Sequence, residues 1–239
     1  MKKKAFSSWL VCALVTASGF NSAQDHPPAK SFAELRLRVV SSLPGSHRAV
    51  PAVVWLLPLT GTAALPFASH GHYSLLQKNR TFIPHLQVIP VGSVVDFPNA
   101  DPFFHNVFSL FEGKRFDLGL YEAGSSRSVT FSREGLSYIF CNIHPEMSAV
   151  VLALSTPLYT IAANDDSFVM RNIPAGDYRM HLWIEGVPQS ILESLSRPVH
   201  FSSGTLDLGT LSAPIARPEH MTHANKFGSS YDTHPQSPY

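Results

Sequence analysis

Gly135-Leu-Ser-Tyr-Ile-Phe-Cys141-Asn-Ile-His144-Pro-Glu-Met147 begins as an alternating strand and ends as a short loop written Cys-x2-His-x2-Met. A thiolate, an imidazole and a thioether within seven residues suit copper above other metals. Thiolate and thioether select Cu(I), and imidazole also holds Cu(II); two histidines, one cysteine and a weak axial methionine make a blue-copper donor set. The loop supplies three of these four groups. The fourth is expected from a strand well upstream, and His105 in Pro102-Phe-Phe-His105-Asn-Val-Phe-Ser109 is the natural candidate. With a period of two, Ile139 and Cys141 share one face of their strand and Tyr138 and Phe140 the other, so the sulfur is expected to point into an apolar interior.

Together, Asp96-Phe-Pro-Asn-Ala-Asp-Pro-Phe-Phe-His105-Asn-Val-Phe108 and the Cys-x2-His-x2-Met loop resemble a cupredoxin, with loop spacing like that of amicyanins, pseudoazurins and plastocyanins. The resemblance covers residues 78 to 155, and the paired motif is far more specific than either half alone. It implies one type 1 copper ion held by His105, Cys141, His144 and Met147. It also implies that Asn106, directly after the first ligand, ties its strand to the Cys-bearing loop; an ordinary turn Asn is the other reading. Two positions depart from amicyanin-like loops. Ile143 stands where those loops usually carry Pro, and Glu146 is charged where they tend to be apolar.

The chain opens with Lys2-Lys3-Lys4, an apolar run through Trp9-Leu-Val-Cys-Ala-Leu-Val15, and small residues up to Ala23, the pattern of a secretory signal over residues 1–23. The expected location is the periplasm. Loss of the three lysines leaves 15 basic against 17 acidic side chains, so the formal charge moves from +1 to near −2 and no basic patch for nucleic acid remains. Of the 2 cysteines, Cys12 lies in the leader, so Cys141 has no disulfide partner and is expected to bind metal. A single cysteine also excludes a two-cysteine dinuclear copper site.

The 19 prolines and 14 glycines, spread through a chain that is 44% hydrophobic, argue for many short strands joined by turns: an all-β protein. Glu34-Leu-Arg-Leu-Arg-Val-Val40 alternates strictly, whereas Ala52-Val-Val-Trp-Leu-Leu57 is a continuous apolar run suited to a sandwich interior. After Thr156, Phe168-Val-Met-Arg and Ile173-Pro-Ala-Gly-Asp-Tyr178-Arg-Met-His-Leu-Trp183 resemble a carboxypeptidase regulatory-like β-sandwich. About 55 residues are few for an independent sandwich. Residues 34–60 and 156–212 are therefore expected to form one small sandwich interrupted by a cupredoxin at 74–155; a tandem order is the alternative. The 74–155 segment is expected to fold alone. Residues 213–239, rich in Pro, His, Ser and Asn, read as a disordered tail. His70-Gly-His72 and His220-x2-His223 with His234 have metal-compatible spacing but read more simply as solvated, and His85 reads as a packing residue.

The function expected from this set is single-electron transfer in the periplasm between redox proteins such as a cytochrome or a dehydrogenase, with no catalysis and no membrane span after signal cleavage. Electrons are expected to pass through the edge of His144, framed by Phe103, Phe104, Pro145 and Glu146. Copper storage or delivery and a structural role for the sandwich are the alternatives. The whole layout also resembles exported proteins described as methylamine utilisation proteins.

Overall fold

Strict alternation in the first apolar segment produces the first strand, β1 (Phe32–Val40), with Ala33, Leu35, Leu37 and Val39 buried while Arg36 and Arg38 face solvent. A computed structural model describes residues 32–40, 50–60, 65, 70–110, 113–214 and 225–229. The segment read as a secretory signal and the tail histidines lie outside the described residues.

The strands that follow are β2 (Ala52–Pro58), β3 (His72–Ser74), β4 (Leu76–Lys78), β5 (Thr81–Ile83), β6 (Leu86–Pro90), β7 (Val94–Pro98), β8 (His105–Ser109) and β9 (Phe116–Tyr121). Then come β10 (Ser126–Thr130), β11 (Gly135–Cys141), β12 (Ser148–Leu154), β13 (Tyr159–Ile161), β14 (Ser167–Pro174) and β15 (Gly176–Ile184). The helix α1 (Gln189–Leu195) precedes β16 (Arg197–Phe201) and β17 (Gly204–Ser212). Among the described residues the protein is all-β apart from α1. Seven residues are too few to carry a helical period, which is why the sequence pattern does not announce this helix.

The pairing divides the chain in an unusual way. β1 lies between β14, antiparallel, and β17, parallel, while β2 lies between β13 and β15, both antiparallel. Strands from before residue 60 thus share sheets only with strands from after Thr156. The intervening chain builds a five-stranded sheet in the order β6-β12-β11-β8-β9, a three-stranded sheet β10-β7-β3, and the hairpin β4-β5.

Two cores result. Odd-numbered residues of β11 and β12 (Ile139, Cys141, Ala149, Val151, Ala153) face one core with Phe97, Val107, Tyr121 and Phe131. Even-numbered Val150, Leu152 and Leu154 face the other way, into a second core shared with β1, β2, β14 and β15. β12 is therefore buried on both faces, as its unbroken apolar run Ala149–Leu154 requires. On β15, Trp183 faces the five-stranded sheet and donates its indole N–H to the Tyr138 hydroxyl at 3.3 Å, while Met180 and Leu182 lie on the opposite face. Outside this apolar contact, His85 bridges the same layers, with Nδ1 at 3.1 Å from the Ser148 carbonyl and Nε2 at 2.6 Å from the Glu185 carboxylate.

The shared core bears on the expectation that 74–155 is self-sufficient, because that segment alone would present Val88, Val150, Leu152 and Leu154 to water. Of the segment read as a tail, residues 213–214 and 225–229 are described. Ala213 is fully buried, its N–H donated to the Val40 carbonyl, and Asn225–Ser229 forms a tight turn. The Asn225 side-chain oxygen accepts the N–H groups of Phe227 at 2.9 Å and Ser229 at 3.0 Å, an Asx-type device that needs no apolar periodicity.

Leu152→Ala removes a side chain from the outer face of the five-stranded sheet. It should cost about 2–4 kcal/mol and shift the urea midpoint of Trp55 and Trp183 fluorescence, residues of the neighbouring sheet. An unshifted tryptophan transition would mean the layers do not share one core.

Candidate metal centre

Antiparallel pairing of β8 with β11 sets Cys141 opposite Val107, so His105, two residues earlier on β8, lies on the same inward face as the cysteine sulfur. The loop after Cys141 is closed by main-chain bonds: the Met147 N–H to the His144 carbonyl at 3.0 Å and the Cys141 N–H to the Met147 carbonyl at 3.3 Å. That tight return carries His144 back over the end of the strand. His105, Cys141 and Met147 are fully buried, and His144 is half-buried.

The three nitrogen and sulfur donors form a nearly equilateral triangle. Cys141 Sγ lies 3.5 Å from His105 Nδ1 and 3.6 Å from His144 Nδ1, and the two nitrogens are 3.1 Å apart. A point equidistant from all three lies about 2 Å from each, the length of a metal–imidazole bond. This is the group of metal-ligating side chains found among the described residues. Two imidazoles and one thiol suit copper, and Met147, which ends the loop motif, is fully buried. His70 and His72 do not join it; His70 contacts the Val91 carbonyl, and His72 approaches Asp96 at 3.5 Å.

Proton positions favour metal uptake. Burial holds both imidazoles below the usual histidine range; Asp101 partly opposes this at His105, and the neighbouring ring adds to it at His144. Both rings are therefore neutral at neutral pH. Burial also pushes the Cys141 thiol up, although the N–H groups of Asn106, Ile143 and His144 aim at the sulfur and pull the other way. The proton displaced on metal binding near neutral pH is therefore the thiol's.

Asp101 organises the His105 side. Its buried carboxylate accepts the His105 Nε2–H at 2.9 Å, which fixes the tautomer and leaves Nδ1 free to ligate. The same carboxylate accepts the N–H groups of Asn79 at 2.6 Å and Arg80 at 3.0 Å. Both residues have positive φ, 55° and 56°, in the two-residue turn of the β4-β5 hairpin. Asp101 thereby anchors a strained turn and a ligand together. Its burial works to raise its pKa, but the Arg80 N–H, His105 and the Asn79 N–H outweigh this and keep it ionised. The one available sequence signal was an Asp four residues before a candidate ligand His.

Asn106 connects to the Cys loop through its main chain. Its carbonyl accepts the Asn142 N–H at 2.8 Å, while its side-chain amide donates instead to Asp117 at 2.6 Å. Asp117 gives no signal in the sequence. Around the opening, the Phe103 ring lies 5.3 Å from both ligand imidazoles and beneath the Arg80 guanidinium, also at 5.3 Å. Phe104, Ile143, Pro145 and Glu146 are exposed.

No family model matches the chain, and no curated protein matches it. Among solved structures it is similar to a purple cupredoxin from Nitrosopumilus maritimus, at 23% identity over 34% of this chain and 99% of that one, with a TM-score of 0.31. An oxidised amicyanin with methionine replaced by leucine matches at 18% identity over 34% of this chain and 81% of that one, TM-score 0.33. A copper-containing nitrite reductase from Thermus scotoductus matches at 20% identity over 49% of this chain, TM-score 0.33; the match spans 28% of that enzyme.

Asp101→Asn keeps the shape but replaces one acceptor oxygen by a donor. Copper affinity, measured by competition with a chelator, should fall about 10- to 100-fold. Undiminished affinity would remove Asp101 from the metal centre.

Proposed function

We propose that this chain is an exported type 1 copper protein of the cupredoxin kind that carries single electrons between redox proteins in the periplasm. The observation that carries the reading is the donor triangle of His105, Cys141 and His144, already set for a metal–imidazole bond length, with both rings neutral. Copper would supply a one-electron couple at such a site, and in this reading His105, Cys141, His144 and Met147 would hold it. The protein's part is to hold the donors still and dry. Cys141 and His105 have no solvent exposure, a burial that would limit solvent access to the metal.

The path to a partner runs through half-buried His144, with Phe103 against its ring. Exposed Phe104, Pro145 and Glu146 surround it, and Glu146 favours a partner with a basic patch, such as a cytochrome or a dehydrogenase. Residues 34–60 and 156–212 are read as one regulatory-like sandwich that the copper-binding segment interrupts; the partnering of β1 and β2 with strands after Thr156 supports this. The likeness of the layout to methylamine utilisation proteins belongs to the same reading. No substrate chemistry is part of it.

Copper storage or delivery is the competing class. It is disfavoured because a donor protein must open its ligands to exchange, and here the thiolate lies under a closed loop. Stopped-flow measurement of Cu(II)/Cu(I) self-exchange separates the two. The carrier reading expects rapid exchange and retention of Cu(I) in the presence of a chelator. Sluggish exchange with ready loss of Cu(I) would place the protein among copper stores.

A further inference from the structure

Each of two metal-site residues is followed by an asparagine, and both asparagines belong to one closed ring of hydrogen bonds. The Asn142 N–H, next to Cys141, donates to the Asn106 carbonyl, next to His105, at 2.8 Å. The Asn106 side-chain amide donates to Asp117 Oδ1 at 2.6 Å. Asp117 Oδ2 accepts from Lys226 Nζ at 2.7 Å. The Lys226 main-chain N–H returns to Asn142 Oδ1 at 2.9 Å. Four separate pieces of chain therefore meet beside the donors: β8, β9, the Cys141 loop and the Asn225–Ser229 turn.

We propose that the Asn225–Ser229 turn is a strap on the metal centre, with Lys226 the positioning residue that closes the ring and holds the Cys141 loop at its distance from His105. This rests on the copper reading above and deepens it. β8 and β11 already pair directly, but the pairing ends at Cys141, where the loop departs and strand hydrogen bonds stop. Beyond that point the Asn142 N–H is the first main-chain tie back to β8, and Lys226 secures both its ends. From one side it fixes the Asn142 side chain; from the other it orients Asp117, which holds Asn106. The Asn106 N–H, in turn, aims at the Cys141 sulfur. The Lys226–Asp117 bond is charge-assisted at 2.7 Å, with Lys226 mostly covered and Asp117 exposed, so its part is to set direction within the ring. The turn is itself held by the Asn225 side chain, so it presents the lysine in a fixed direction.

The test uses the full chain, metal-free, with amide hydrogen exchange read at Asn142. Lys226→Met and Asn225→Ala should each speed exchange there about five- to tenfold, as expected when a local opening becomes easier, and Lys226→Arg should restore most of the protection. In copper-loaded protein the first two variants should lose Cu(I) to a chelator faster by a similar factor. Native exchange at Asn142 in both Lys226→Met and Asn225→Ala would overturn the strap. A native chain that takes up no copper would instead refute the copper reading, and the metal-free exchange experiment would still decide whether the strap exists.

Discussion

Everything at the metal centre depends on the register between β8 and β11. With Cys141 opposite Val107, the two-residue side-chain period places His105 on the inward face diagonal to the cysteine sulfur. A one-residue slip would turn His105 and Cys141 to opposite faces. The register is secured from both sides, since Val107, Ile139 and Cys141 enter one core while Phe108 and Phe140 pack together on the other face at 5.9 Å. The donor triangle is thus a consequence of sheet packing, with the loop contributing only the return of His144.

Support for the donors comes from outside the motif. Asp101 fixes the His105 tautomer while absorbing the strain of a hairpin turn, and Asp117 holds Asn106 from the edge strand β9. Both carboxylates lie close to the site, and both are kept ionised by the N–H and ammonium groups around them against the effect of burial. Asp101 thus places a negative charge directly beside His105, where it works to raise that imidazole's basicity.

Much of this was legible in the residues because the relevant signals are local. Alternation in Glu34–Val40, the double-faced run Ala52–Leu57 and the Cys-x2-His-x2-Met spacing each report on a few consecutive positions. What escaped was non-local. No period announces that Val150, Leu152 and Leu154 are covered by a sheet built from both ends of the chain. The role of Asp117 depends on a strand partner and that of Lys226 on a turn 84 residues beyond Asn142, so neither has a signature in its own neighbourhood. Asp101 lies between these cases. Its position four residues before His105 was visible, but its double use by the Asn79-Arg80 turn was not.

X-ray absorption at the copper edge tests the central claim most directly, on the full chain loaded with one equivalent of copper. The account predicts one short sulfur scatterer and two imidazole nitrogens at about 2 Å, with the sulfur lost in Cys141→Ser. A shell of nitrogen and oxygen alone in the native chain, unchanged by Cys141→Ser, would contradict it.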